Sequence, residues 1–216
     1  MTFRLSVALI ALAAAYPALA APPANFDQRV EQLRQASETP GMAIAIVENG
    51  ETVLAKGYGV RKISTSDLVN ADPIFMTGST GKAVTVAALA TLVDAGKLDW
   101  DDKVVDKLPG FQMYDAWVTR EMTVRDLLTH RSGLGLGAGD LMFVARSNRT
   151  RAQMLEGLKH IKPATSFRSG YAYDNILYTV AGALIEAVSG QSYESYVRDH
   201  VFKPAGLLTA TSDEPT

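Results

Sequence analysis

The chain contains no cysteine. That removes a disulfide framework, a thiolate nucleophile and any cysteine-based metal site. Its three histidines, His130, His160 and His200, lie far apart and fit no H-E-x-x-H pattern, so no cofactor is expected and a metal site would need distant residues to converge. Charge of one sign is also lacking. Twenty-one basic residues face 23 acidic ones, for a formal net charge of -2, and no basic run or stripe occurs. Nucleic acid is therefore excluded as an expected partner, because phosphate neutralisation needs clustered Lys and Arg. Hydrophobic residues make up 47% of the 216 and charged residues 20%. Such a balance suits a globular chain able to bury a core, and not a disordered or fibrous one.

Long apolar runs are scarce too, and the one that exists is short. Arg4 precedes an apolar stretch from Leu5 to Tyr16, Pro17 breaks it, and Ala18-Leu19-Ala20 offers a small-x-small cleavage site. The run falls short of the roughly 20 residues that span a bilayer. Residues 1–20 are read as a secretory leader, and residues 21–216 as an exported domain, periplasmic or secreted, with no stable membrane span once the leader is cleaved.

Local patterns then divide the remainder. Phe26 to Ala36 has the spacing of a short amphipathic helix, ended by Pro40-Gly41. Met42 to Val47 and Thr52 to Tyr58 are β-prone runs joined by Glu48-Asn49-Gly50-Glu51, where Asn-Gly tolerates the positive φ angles of a hairpin turn. A long helix is expected from Ser79 to Ala95, with Gly96 as its C-terminal cap. Thr123-Val124-Arg125-Asp126 has the form of a capping box, opening a helix expected to stop at Gly133. Ile176 to Val188 carries helical apolar spacing up to Gly190, and Tyr193 to Phe202 forms a last helix before Pro204. One hairpin and many helices, without βαβ alternation, predict an α+β (mixed) fold. The glycine-rich Gly133-Leu134-Gly135-Leu136-Gly137-Ala138-Gly139 fails G-x-G-x-x-G in every register and follows no strand, so it reads as a flexible loop.

Chemistry concentrates at Thr77-Gly78-Ser79-Thr80-Gly81-Lys82. From Pro73 to Val93, Lys82 is the only charged residue, and the helix it opens is apolar nearly all round, which implies burial. A buried ammonium is costly unless paired, and desolvation favours its proton-accepting form. Ser79, three residues earlier, shares a helical face with Lys82. It also stands at the helix N-terminus, where free N–H groups can stabilise an oxyanion. A P-loop is excluded because Met76 and Ala83 stand where glycine and Ser/Thr belong, and the G-x-S-x-G elbow because Thr77 replaces its first glycine. A Ser cap followed by a Lys that snorkels to solvent remains the alternative for the isolated pair.

The wider pattern is more specific. Ser79-x-x-Lys82 is followed in order by Leu92-Val93-Asp94-Ala95-Gly96-Lys97-Leu98-Asp99, Leu127-Leu128-Thr129-His130-Arg131-Ser132-Gly133-Leu134 and Tyr173-Asp174-Asn175. Ser189-Gly190-Gln191-Ser192-Tyr193 and Pro204-Ala205-Gly206-Leu207 complete the series. From Phe26 to Thr211 the chain resembles the penicillin-recognising serine hydrolases: serine β-lactamases and penicillin-binding proteins. The nearest branch is that of class C β-lactamases, esterases and D-alanyl-D-alanine carboxypeptidases. The resemblance implies a β-lactamase/transpeptidase-like fold, a helical lobe with an antiparallel sheet. It implies that Ser79 attacks a carbonyl and is acylated, that Lys82 takes or relays its proton, and that Tyr173 is a second base and leaving-group acid. Asn175 would bind the substrate's amide carbonyl and help orient Lys82; the ordinary alternative is an N-cap of the helix that starts at Ile176, and the two roles are compatible. His130 matches a family position read as structural, near a helix C-terminus where it could meet free carbonyls. No E-x-x-L-N occurs, so a glutamate-bound deacylating water has no candidate.

The family's third motif, K-T-G or a variant, should follow Tyr173 on a strand. Arg131-Ser132-Gly133 and Arg168-Ser169-Gly170 look similar, but both precede it. The expectation is thus the N-terminal portion of a longer enzyme, lacking the C-terminal strands. Two functions compete: a serine hydrolase forming an acyl-enzyme on a β-lactam, an ester or a D-alanyl peptide derived from peptidoglycan, and a non-catalytic fragment or binding protein of the same fold.

Overall fold

Residues 22–71, 74–144 and 148–212 are described by a computed structural model. The expected leader, residues 1–20, lies outside them. The chain divides into two units, one ending at Pro73 and the other beginning at Ile74. Together they hold eight α-helices and one two-stranded antiparallel sheet among the described residues, a mixed α+β arrangement. No described helix is long and apolar enough to cross a membrane.

In the first unit, α1 (Phe26–Ala36) precedes a hairpin of β1 (Gly41–Glu48) and β2 (Glu51–Gly59). Both turn residues take the left-handed backbone expected of Asn-Gly, with φ of 53° at Asn49 and 84° at Gly50. The strands alternate as a one-sided sheet should, with Met42, Ile44 and Ile46 half-buried and Ala43, Ala45 and Val47 exposed. Asp27 ties α1 to the hairpin by accepting hydrogen bonds from Lys56 and from the Tyr58 hydroxyl.

The second unit is helical, and its axis is α7 (Ile176–Ser189). The expected spacing there is real: Ile176, Leu177, Val180, Ala181, Leu184 and Ile185 are buried, and Gly190 closes the helix at φ 73°. Around α7 pack α2 (Lys82–Asp94), α3 (Val104–Lys107), α5 (Val124–Leu128), α6 (Arg151–Gly157) and α8 (Tyr193–Val197), while α4 (Ala116–Glu121) packs on α3. Leu89, Leu92, Met122, Leu127, Leu177 and Leu184 are fully enclosed. Each such side chain contributes about 1.5–3 kcal/mol through lost contact with water.

Four expectations change in detail. The Ser79 helix begins as a 3-10 turn over Gly78–Gly81 and becomes α-helical only at Lys82. Nor is α2 enclosed all round: Thr85, Ala88, Leu89 and Leu92 are buried, whereas Lys82 is half-buried and Ala83 exposed. The helix opened by Thr123 keeps its capping box with Asp126 but ends at Leu128, because His130 turns the chain at φ 56°. The last helix widens after α8 into a π-helical turn, Arg198–Phe202.

The glycine-rich stretch is anchored at its start rather than loose. Ala164 and Thr165 both donate their N–H to the Gly133 carbonyl. At φ 89°, a Cβ on Gly133 would stand 2.4 Å from the Thr165 carbonyl oxygen. Further bonds extend this seam: Arg168 N–H to Arg131 carbonyl, Ala172 N–H to His130 carbonyl, and the Arg131 guanidinium to the Arg168 carbonyl. Arg168 in turn grips both oxygens of Asp126, which also closes the Thr123 capping box. Burial opposes the Asp126 charge, yet Arg168 and Thr123 together hold its carboxyl below the ordinary range. The two Arg-Ser-Gly triplets are thus parts of this seam.

Gly133→Ala combines a strained φ with a clash against backbone, and is expected to lower stability by at least about 2 kcal/mol. Urea unfolding checks this; a variant as stable as the parent would show that the seam yields.

Candidate active site

The seam delivers residues 173–175 to the N-terminal end of α2. Ser79 stands exposed in the 3-10 turn, and Lys82, one turn on, opens α2. Lys82 Nζ donates to Ser79 Oγ at 3.0 Å, to the Tyr173 hydroxyl at 2.7 Å and to Asn175 Oδ1 at 2.7 Å. An ammonium has three hydrogens and no acceptor, so all three are used. Ser79 Oγ and the Tyr173 hydroxyl lie 2.8 Å apart, closing a triangle with Nζ. The four residues singled out in the sequence are therefore brought together, from two segments more than ninety positions apart.

The Tyr173 phenol is held below its ordinary value, first by the hydrogen bond from Lys82 and second by that with Ser79, against slight desolvation. Lys82 Nζ also lies 4.9 Å from the Tyr173 ring centre and 5.2 Å from that of Tyr178. Both are within the range in which an aromatic face attracts a cation.

Asn175 does not cap α7. Its Oδ1 is committed to Lys82, and its Nδ2 donates to Asp140 Oδ2 at 3.0 Å. Asp174 takes the capping role instead, with Oδ1 accepting the Leu177 N–H at 3.2 Å. Its Oδ2 accepts from the Ser132 hydroxyl at 3.0 Å. Asp174 is 0% exposed, and burial pushes its carboxyl up to about 6 despite those two donors.

His130 does not meet helix carbonyls either, since Tyr178 occupies the Leu128 carbonyl with its hydroxyl. Its Nδ1 accepts the Asp174 N–H at 3.3 Å, and its ring packs on Tyr173 with centres 4.4 Å apart. Burial first, and the Lys82 charge second, lower its pKa, which keeps the ring neutral.

Asp140, Asp174 and Ser132 were not singled out from the sequence. Asp174 had a signal, as a capping residue type just before an apolar helix; Asp140 had none, because its partner lies 35 residues away. Among the described residues no cluster of three His, Asp or Glu could hold a metal. A cavity of about 460 Å³, walled by Met113, Trp117, Leu134 and Phe167, shares no residue with the Ser79 group.

Two measurements test these electrostatics. Lys82→Met should move the Tyr173 titration upward in an ultraviolet difference titration, with Tyr173→Phe identifying the signal. An unchanged value would break the assigned coupling. For Asp174, the folded pKa of about 6 lies above the ordinary 3.8. Its stabilising effect is thus complete below the lower value and is lost as pH rises through the upper one. The difference corresponds to roughly 3 kcal/mol. Relative to Asp174→Asn, the parent should lose up to that amount between about pH 4 and pH 7; a gap independent of pH would refute it.

Comparisons with known proteins bear on the family and the fold. The sequence profile described as Beta-lactamase matches residues 26–216. Penicillin-binding protein 4 of Amycolatopsis lactamdurans is 32% identical over 185 residues, covering 85% of this chain and 48% of that protein. Unguisins hydrolase ungD' of Aspergillus campestris is 30% identical, over 85% of this chain and 35% of its own length. Among solved structures, the octameric penicillin-binding protein homologue from Pyrococcus abyssi superposes with a TM-score of 0.73 at 26% identity, over 84% of this chain and 42% of that one. A D-stereospecific amidohydrolase from Streptomyces sp. gives a TM-score of 0.68 at 25% identity, over 83% and 54% respectively. The chain spans about half or less of the length of these relatives, and within that span its fold is the β-lactamase/transpeptidase-like one. By profile, relatives and fold alike, the chain belongs to the beta-lactamase family of serine hydrolases.

Proposed function

We propose that Ser79 is the nucleophile of an acyl-transfer site that hydrolyses a β-lactam, an ester or a D-alanyl peptide. The observation that carries this reading is the triangle of Ser79 Oγ, Lys82 Nζ and the Tyr173 hydroxyl, with sides of 2.7 to 3.0 Å. A weak hydroxyl nucleophile needs a proton acceptor within hydrogen-bond reach, and geometry ranks ahead of pKa in finding it.

In this reading the Tyr173 oxygen accepts the Ser79 proton, while the Lys82 ammonium offsets the phenolate charge. Ser79 Oγ then bonds to the carbonyl carbon, and the amides of the first turn stabilise the resulting oxyanion. Collapse breaks the bond to the leaving group, which takes the proton from Tyr173 and leaves the acyl group on Ser79. In the second half Tyr173 takes a proton from water, whose oxygen attacks the acyl carbon. Ser79 leaves as the alkoxide and regains the proton from Tyr173. Asn175 offers its second Nδ2 hydrogen to an amide carbonyl of the substrate.

The unguisins hydrolase and the D-stereospecific amidohydrolase support hydrolysis as the reaction class, each by its own name. Residues 1–20 as a leader, export beyond the cytoplasm, and residues 21–216 as part of the hydrolase domain belong to the same proposal.

Incubation of the protein with a fluorescent penicillin, and separately with a p-nitrophenyl ester, tests it. Covalent labelling or a burst is expected, lost by about 10³-fold or more in Ser79→Ala and by about 10²–10⁴-fold in Tyr173→Phe. Labelling that survives Ser79→Ala would overturn the assignment. No reaction with any acyl probe would favour a non-catalytic binding role.

A further inference from the structure

The geometry points to Asp140 as a positioning residue that acts through Asn175, and so gives the glycine-rich loop its function. This inference rests on the acyl-transfer reading of the site. An asparagine side chain can face either way: its oxygen and nitrogen exchange places by a half-turn, and only their partners decide. Here both partners are present. Lys82 donates to Oδ1 at 2.7 Å, and Asp140 Oδ2 accepts from Nδ2 at 3.0 Å. A carboxylate accepts and never donates, whereas an ammonium donates and never accepts. The pair therefore fixes one orientation from both ends of the amide. Nδ2 keeps a second hydrogen that Asp140 does not use, and its direction is set by the first.

The loop is built to place that carboxylate. Gly137 and Gly139 take φ values of 82° and 79°, in the left-handed region. At Gly139 a Cβ would stand 2.9 Å from Ile161 Cδ1 and 3.2 Å from Ile176 Cγ1. Any other residue there is strained by its backbone angle and presses on the side chains of Ile161, Met142 and Ile176. The Asp140 N–H donates to the Gly137 carbonyl, and its own carbonyl accepts from Phe143 and Val144, forming a 3-10 turn over Asp140–Met142. The backbone of Asp140 thus belongs to the turn, and its side chain is free to leave it for Asn175. Oδ1 is buried and meets no donor among the described residues, so the contact with Asn175 is the one hydrogen bond seen for this carboxylate.

Acylation rates with a fluorescent penicillin, measured on the full chain, test the idea through a double-mutant cycle. Asp140→Ala should slow acylation by about tenfold, the worth of one hydrogen bond to a charged group. Asn175→Ala should slow it further, and the double variant should be no slower than Asn175→Ala alone. Asp140→Asn retains an acceptor oxygen and should stay within about threefold of the parent. Should Asp140→Ala fold poorly by circular dichroism, Asp140→Leu keeps the volume without the acceptor and takes its place. Losses that multiply, or an Asp140 variant as fast as the parent, would overturn the proposal. A parent that reacts with no acyl probe defeats the hydrolase reading instead. In that event side-chain amide NMR of Asn175 still decides: its Nδ2 resonance should move in Asp140→Ala, and an Asn175 amide unmoved by that substitution refutes the contact.

Discussion

Everything at the site depends on one ammonium group finding three oxygens at once. A lysine opening a helix whose one other charge, Asp94, lies at the far end has nothing of its own segment to bond to except Ser79, one turn back. The other two acceptors, on Tyr173 and Asn175, must be brought from elsewhere and held to within a few tenths of an ångström. A helix could supply Ser79 and Lys82 together, since both lie on one face. Tyr173 and Asn175 sit two apart on the non-helical lead-in to α7, and both side chains reach Lys82 Nζ. A helix end and one such segment are enough to surround one cation with three acceptors.

The remaining structure answers the question of what holds that segment. Residues 164–174 run along the turn at His130–Gly133 and exchange backbone bonds with it, ending at the Asp174 N–H on His130. The far end is pinned by Arg168 on Asp126, whose side chains are 41% and 10% exposed. An exposed ion pair contributes at most about 1 kcal/mol, but here the carboxylate is nearly enclosed, and losing Arg168 would leave it with little access to water, which costs more than the pair contributes. Arg168 is therefore better understood as a requirement of Asp126 than as an added stabiliser. Asp126 in turn serves the capping box that starts α5, so a local helix signal and a long-range anchor share one carboxylate.

That sharing explains what the sequence could and could not disclose. The capping box, the Asn-Gly hairpin turn and the apolar period of α7 are local patterns, and each is found where its residues say. The Ser79, Lys82, Tyr173 and Asn175 set was legible because several motifs occur in order, and those positions do converge. What was hidden is pairing across distance. Nothing near Asn175 says that its amide is engaged at both ends, so a cap for α7 was an equally good reading; Asp174, one residue earlier, does the capping. Nothing near Leu128 says that Tyr178 will take its carbonyl, so His130 looked free to do so. The glycine-rich loop read as flexible because glycine supplies freedom in the unfolded chain, whereas the folded loop uses the same glycines for positive φ and close approach.

Under the acyl-transfer reading proposed above, the arrangement also favours one of the groups near Ser79 as its proton acceptor. His130 is the residue most often cast in that role, and it lies against Tyr173. Yet its Nδ1 is occupied by a backbone N–H, and the ring stacks beneath the tyrosine. Asp174 is wholly enclosed, with one oxygen on Ser132 and the other on Leu177. Asp140 reaches Asn175. Tyr173 alone combines contact with Ser79 Oγ and a pKa lowered by a cation, while Asp140 nearby works in the opposite direction. The tyrosine's acidity is then set mainly by Lys82 and Ser79, with Asp140 a minor opposing influence. Asn175 spans the two charges, accepting from Lys82 and donating to Asp140, so the residue that orients the lysine is itself held by the opposing carboxylate.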